Sequence, residues 1–547
     1  MIWFVDIANI HRGEIAIAGT SAVYSDPSND PAHADTWSAD RNIRADLIQW
    51  LLVDRRAIEL EHLIGIRVLG ARIMGELKLG YVHAPVPLVL RKCSIPAEIE
   101  LAYAELPGLS LKGSSTDEIY APGIKVDGLL EMGEGFHAAG VVFMSGATID
   151  GEADFGGGHF SHSRGTPRGW GGVWSSFPNN DPALVITYAQ FRGPVWMCCG
   201  FESQGATLLF NSSFAGDLFF FGSRFVGSKG YALGFEEAEI TGDVNFTDAS
   251  MGINPPHPSE FKGIVDFATA KFGGNMDFTG TRFTGAPSEP HGLYATLTNI
   301  KGGMFWRNVA LTNDAFLNLG GAQVGYLIDD AQSWPKPGKL NIGGLKYQGL
   351  GLPDDVLSRL HWVGLNAPLN PQPYDQLAKF YRSIGSNSQA DQVLIARDEM
   401  LYSNSDWPNY VWGKLLKITI GYGHQPLRAI VWSMMVVAIG TVMVATGKRA
   451  GVIRLTWPET TPPPSGHPTA GLNSLLYSLD VFLPFVNLHQ EHYWWPDEAA
   501  SGECAVLGRR IGIRGSVLRS YLWAQIIAGW LLSAIFLAAV TGLIRND

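Results

Sequence analysis

An apolar residue recurs every eleven positions through much of the N-terminal half of this chain. Val68, Leu79, Leu90 and Leu101 form one series, and Ile73, Ala84, Ile95 and Leu106 follow each of them by five residues. The pair of series returns as Leu209 and Phe220 with Phe214 and Phe225, and again as Phe267 and Phe278 with Phe272 and Phe283. A fixed short period marks a repeat architecture, in which each unit buries its apolar face on the next. The unit is clearest at 216–227, GDLFFFGSRFVG. There a Gly-Asp turn leads into alternating Leu218 and Phe220, a small Ser223 and then Phe225. The frame recurs at 242–251, 263–274 and 274–285. Strand alternation sends the apolar residues inward, and small residues between them let the chain turn tightly. Two eleven-residue halves make one repeat. A glycine count of 64 and a charged fraction of 17% suit a turn-rich β architecture.

Around this array the 547 residues divide by composition. Residues 1–37 read as an irregular N-terminal segment, and 38–63 as a capping helix. Ser38 or Asp40 can cap that helix, and Ile43, Leu47, Trp50 and Leu51 share one face. The repeats occupy 64–345, with insertions. The largest insertion, 161–200, opens on SHSRGTPRGWGGVWSSFPNNDP, and shorter ones fall near 228–239, 252–262 and 285–298. Insertions in repeat arrays map to surface loops, which makes Trp170, Trp174 and Phe177 a candidate interaction loop. Residues 353–410 read as a helical hairpin and linker. Tyr374, Leu377, Tyr381 and Ile384 line its first helix, 385–387 break it, and Leu394 and Leu401 lie in its second.

The remainder, 411–547, reads as a membrane domain. Residues 429–446 and 521–544 carry no charge and are long enough to span a bilayer. Trp432, Tyr521 and Trp523 sit near their ends, as interface anchors do. Between the spans, 472–488 is apolar but contains Asp480 and Pro484, so an interfacial or re-entrant segment is expected. Asp480 is either a functional ionisable group at membrane depth or a carboxylate facing water at the interface. GYG at 421–423 precedes the first span and reads as a bend into the membrane. The loop between the spans holds seven basic residues, Lys448, Arg449, Arg454, Arg509, Arg510, Arg514 and Arg519. By the positive-inside rule they hold that loop in the cytoplasm. Against this, a large N-terminal domain without a signal peptide is most simply left in the cytoplasm with both chain termini. The second arrangement is favoured.

Little points to chemistry. A net charge of −11 argues against nucleic acid as a partner. GxGxxG is absent, since GEGFHAAG at 133–140 has the wrong spacing. No haem CxxCH, iron–sulfur run, CxxC pair, P-loop or GxSxG occurs. No catalytic residue, cofactor or metal site is expected, and the balance leans away from an enzyme. His159 and His162 with Asp154, and His489 and His492 around Glu491, lack a demonstrable third or fourth ligand. The second group reads as polar residues beside Trp494 and Trp495. Cys93, Cys198, Cys199 and Cys504 show no zinc spacing and read as buried residues or free thiols in a reducing compartment.

The five-residue step with central Leu or Phe resembles the pentapeptide-repeat β-helices, with eleven residues in place of ten per half-repeat. The segments at 43–56, 66–79, 420–429, 475–484 and 541–547 resemble a group of bacterial membrane proteins commonly labelled "membrane-associated oxidoreductase". The resemblance implies a mostly-β chain: a right-handed pentapeptide-repeat-like β-helix, or solenoid, with helical caps and a C-terminal α-helical membrane domain. The expected function is a protein-binding scaffold or sensor anchored at the bacterial inner membrane. Its expected partners are the lipid bilayer and an unidentified protein. One rival is an oligomeric channel or membrane-perturbing effector built from copies of the chain, with Asp480, Pro484, His489, Glu491 and His492 as its membrane-functional residues. The other is the oxidoreductase of the group's label.

Overall fold

The computed structural model describes residues 15–19, 21–54, 65–162, 181–249, 252, 256–285, 289–351, 355–455, 471–491, 493–506 and 509–541. Two compact units divide the chain, Met1–Gln376 and Leu377–Asp547.

In the first unit the apolar period becomes strand register. Val68 pairs with Leu90, and Leu88 with both Ile66 and Leu109. Phe191, Phe214, Ile240, Phe272 and Ile300 follow one another in the same sheet. In a second sheet Phe225 pairs with Ser203 and with Phe261, and Phe261 with Phe283. All of these pairings are parallel. The two opening series, from Val68 to Leu106, are buried throughout. Within the strands alternate residues such as Arg67, Val89 and Arg91 are half-buried, whereas the small residues Ala71, Cys93 and Ala104 between the two series are buried as well.

This arrangement corrects the expected fold class. Two twenty-stranded parallel sheets stand where a closed right-handed pentapeptide-repeat-like β-helix was expected. Helix and strand each make up about 30% of the chain, so it is not mostly β. The apolar period reports which residues share a face and a register. It carries no information on closure, and it is silent about the helices outside the repeats.

The boundaries shift too. Strands resume at Pro182–Val185, where Leu184 pairs with Val142, so the stretch from 182 belongs to the sheets and not to the insertion. Trp170, Trp174 and Phe177 lie outside the described residues. The N-terminal helix is α1, Ala45–Val53. It buries Ala45, Ile48, Leu51 and Leu52 and leaves Trp50 exposed, a face rotated from the expected one. Strands continue to Lys346–Leu350. Helix α2, Val356–Gly364, follows, its first turn capped by Asp355, which accepts from the Ser358 amide at 2.8 Å.

One set of turns between strands was not anticipated. Tyr81, Tyr103, Tyr188, Asn211, Glu237, Thr269 and Leu297 all take φ between 55° and 60°, a left-handed conformation usually left to glycine. Gly123, Gly146 and Gly321 occupy the same column. Each turn donates its amide to the next repeat, as Tyr81 does to the Ala102 carbonyl and Leu297 to that of Gly320. These bonds offset the unfavourable backbone conformation. At Gly123 a Cβ would strike the Tyr103 ring, so glycine is required there by contact as well.

Helix α3, Gln372–Ser383, contains the boundary between the units. It buries Tyr374, Leu377, Ala378 and Tyr381, whereas Ile384 lies past its end and is exposed. The second unit continues with α4, Asn387–Ser403, and α5, Trp407–Ile420. Gly421, Tyr422 and Gly423 all take positive φ, which makes the GYG run a sharp bend. Helix α6, Leu427–Arg449, follows and ends on Lys448 and Arg449, cations suited to a helix C-terminus. Helix α7, Ser474–Phe482, is only nine residues long and is capped by Asn473. Helix α8 spans Gly515–Val540. Both α6 and α8 are long and apolar enough to cross a membrane, with mean hydropathy 2.1 and 1.9. Val444, Tyr477, Val481, Leu518 and Leu522 join α6, α7 and α8 in one apolar core.

Candidate functional site

The seam of α6, α7 and α8 holds the polar groups most in need of explanation. Ser478 Oγ donates to the Val437 carbonyl at 2.9 Å. Gln525 Nε2 donates to the Ser478 carbonyl at 2.9 Å and to Ser478 Oγ at 2.8 Å. These bonds tie three helices together where no water competes. Two glycines allow the approach: a Cβ on Gly440 would overlap Ser478 Oγ, and one on Gly529 would overlap the Phe482 carbonyl. Gln525 Oε1 is buried without a partner among the described residues.

Asp480 sits two residues beyond Ser478 and is 6% exposed. Its carboxylate accepts from three backbone amides of the loop that follows α7. Leu488 donates to Oδ1, and Gln490 and Glu491 donate to Oδ2 at 2.8 and 2.9 Å. An Asp fixed in this way organises a loop. Pro484 is half-buried in that loop, and His489 is exposed with φ 61° and its amide bonded to Asn487 Oδ1 at 2.8 Å. Glu491 joins Asp480 through its backbone. His492 lies outside the described residues. The loop therefore gathers Asp480, His489 and Glu491 by main-chain bonds.

Asp480→Asn should loosen this loop. Hydrogen bonds to charged groups contribute about 1.5–3 kcal/mol each, so trading carboxylate for amide weakens three at once. The amides of Leu488, Gln490 and Glu491 should exchange at least tenfold faster with deuterium, while those of α8 keep their rates. Unchanged protection at all three would show that the carboxylate is not their anchor.

Sequence reasoning passed over His424, which follows the GYG bend. It is 4% exposed, with Nε2 3.5 Å from Asp398 Oδ2 and Nδ1 3.9 Å from Asp391 Oδ1. Asp398 also accepts from Arg397 Nε at 3.0 Å. The available signal was Asp391 and Asp398, two turns apart on one face of α4.

In the first unit His159 lies 3.6 Å from Glu202, whereas Asp154 is bound by Lys112 at 3.2 Å, so these residues do not converge. No three His, Cys, Asp or Glu side chains among the described residues could hold a metal ion. Lys112 also reaches Glu131 and Glu134, each at 3.0 Å. Burial works against the Lys112 charge, but the hydrogen bonds it donates to Glu134 and Glu131 outweigh it and push the ammonium pKa up. Burial, with Glu236 alongside, raises the Asp266 carboxyl to about 6. Cys198 and Cys199, expected as buried residues or free thiols, are joined as a vicinal disulfide, with Cys198 buried.

No family model, curated protein or solved structure matches this chain. The functional reading therefore rests on residues alone. In the helical unit Ser478 and Gln525 hold α6, α7 and α8 together.

Proposed function

We propose that the protein is a membrane-held binding scaffold. The carrying observation is the bare apolar surface of α6 and α8. Only 22% and 28% of their apolar windows are buried, which a core helix of a water-soluble unit would not tolerate. Ile430, Val431, Met434, Met435, Ile439 and Val442 face outward on α6. Ile527, Trp530, Leu531, Leu537 and Val540 do so on α8. Lipid is the solvent that suits such faces, and the inward polar groups of Ser478 and Gln525 pair with one another.

In this reading the chain crosses the bacterial inner membrane twice, with both termini and the two-sheet unit in the cytoplasm. The outer strand faces would bind a protein partner. Support comes from charge rows such as Glu202, Arg224, Glu260 and Arg282, which follow one another across adjacent strands. Such rows suit recognition across a broad face better than chemistry in a cleft. The alternative reading, an oligomeric channel built from the spans and the 472–488 segment, took Asp480 as its first functional residue, and that carboxylate accepts from the loop amides.

Alkaline carbonate washing of membranes from expressing cells tests the anchor. The full chain should stay in the pellet, and release into the supernatant would end the reading. A Ser501→Cys variant then reports orientation. It should react with an impermeant maleimide from the outer side only, since the loop between the spans would face away from the termini.

A further inference from the structure

We propose that the outer face of the first sheet binds a small amphipathic organic anion, with an anionic head on an apolar body. A cavity of about 320 Å³ lies over strands Ile66–Leu69, Leu88–Arg91, Leu109–Ser110 and Leu130–Glu131. Arg67, Val89, Ser110 and Glu131 follow one another in register there. At ~4.8 Å per strand the groove is about 14 Å long. Its volume falls at the lower end of the range for small-molecule sites.

The head site is set by unused donors. The Arg67 side chain makes no hydrogen bond or ion pair among the described residues, and its Nε is buried without an acceptor. Arg91 Nε is buried in the same state, and the guanidinium reaches Glu131 only at 3.4 Å. Glu131 does not depend on that contact, because Lys112 holds it at 3.0 Å. Each guanidinium presents a fork of N–H donors that carboxylates and phosphates fit, and both line the one cavity. The Arg67 guanidinium has no anionic partner among the described residues, and an anion in the cavity supplies one. Pro87, Pro107 and Leu129 line the same cavity and supply an apolar wall for the body of the ligand. A free inorganic ion would leave that wall empty. The site lies wholly within the two-sheet unit and does not depend on the membrane reading.

The test uses the full chain in nanodiscs and phenylglyoxal, which modifies arginine, with modification at each site read by peptide mass spectrometry. Phenylacetate should slow modification of Arg67 and Arg91 at least threefold relative to Arg192, an exposed arginine paired with Asp150. Phenyl phosphate should protect as well, and the stronger of the two identifies the head group. Benzyl alcohol should not protect. Arg67→Gln should abolish the protection of Arg91, and Arg67→Lys should keep part of it. No protection by either aromatic anion would overturn the site, and so would equal protection by benzyl alcohol. Protection by inorganic phosphate as strong as by phenyl phosphate would overturn the role of the apolar wall. The protection measurement needs no substitution, so a variant that fails to fold leaves the test intact.

Discussion

Arg359→Ala should destabilise the two-sheet unit by about 3–5 kcal/mol, the range for breaking one side of a buried ion pair. Arg359 and Asp329 side chains are 1% and 3% exposed. Arg359 Nη1 donates to Asp329 Oδ2 at 2.9 Å and Nη2 to Oδ1 at 2.7 Å, the bidentate geometry that only arginine provides. Nη2 also donates to the Gly351 carbonyl at 2.8 Å, and the guanidinium lies 5.4 Å from the Trp362 ring centroid. Trp334 Nε1 donates to Asp329 at 2.8 Å. One cation thus fastens α2 to the last strands of the unit. Removing it strands a buried carboxylate whose remaining side-chain donor among the described residues is the Trp334 indole. The readout is deuterium exchange in Gln323–Asp329 and Lys346–Leu350, which should accelerate at least a hundredfold. Pairing Arg359→Met with Asp329→Leu should recover much of the loss, because no charge is then left unpaired. A single variant with wild-type exchange would mean that the pair contributes nothing to holding the end of the sheets.

The second large effect is expected inside the aromatic column. Phe246 stacks on Phe220 at 4.9 Å and on Phe278 at 4.6 Å, with Phe261 edge-on at 5.4 Å. It is fully buried. Phe246→Ala removes a ring shared by these three neighbours and by Phe267 at 6.2 Å and leaves a cavity, at a cost of about 3–5 kcal/mol. Phe246→Leu keeps much of the volume and should cost less than half as much. The loss should be greatest locally, in Leu218–Phe219, Val244–Asn245 and Met276–Asp277, because each repeat packs mainly on its neighbours. Limited proteolysis should therefore cut near 244–277 first, and cutting that begins elsewhere would count against a column of local contacts.

Different parts of the molecule were legible to different degrees. The eleven-residue series located the strands and their register, because inward positions must repeat where parallel strands stack. It did not reveal two sheets in place of a closed form, since a period is the same in either. The left-handed turns at Tyr81, Tyr103 and Leu297 were invisible, because local preference assigns such turns to glycine and the compensating bonds come from the next repeat. Helices α6 and α8 were legible from absence of charge, with ends a few residues off. Asp480 drew notice through its charge in an apolar stretch. Its role was hidden because its partners are main-chain amides 8, 10 and 11 residues further on, which no side-chain pattern announces. The pairing of His424 with Asp391 and Asp398 depends on the bend at Gly421–Gly423 folding the chain back on α4. The cavity at Arg67 and Arg91 needs strands from separate repeats and could not be read from spacing.

The hydrogen bonds between left-handed turns run from one repeat to the next, as the strand bonds do. Mechanical load is therefore borne very differently in two directions. A pull along the strands loads many bonds in parallel and shears them together. A pull along the stack loads them in series, so repeats can peel away singly, each releasing a similar length of chain. Tension applied at one end of the two-sheet unit would be limited to the strength of a single repeat, and the unit could lengthen in steps while the repeats still in place remain folded.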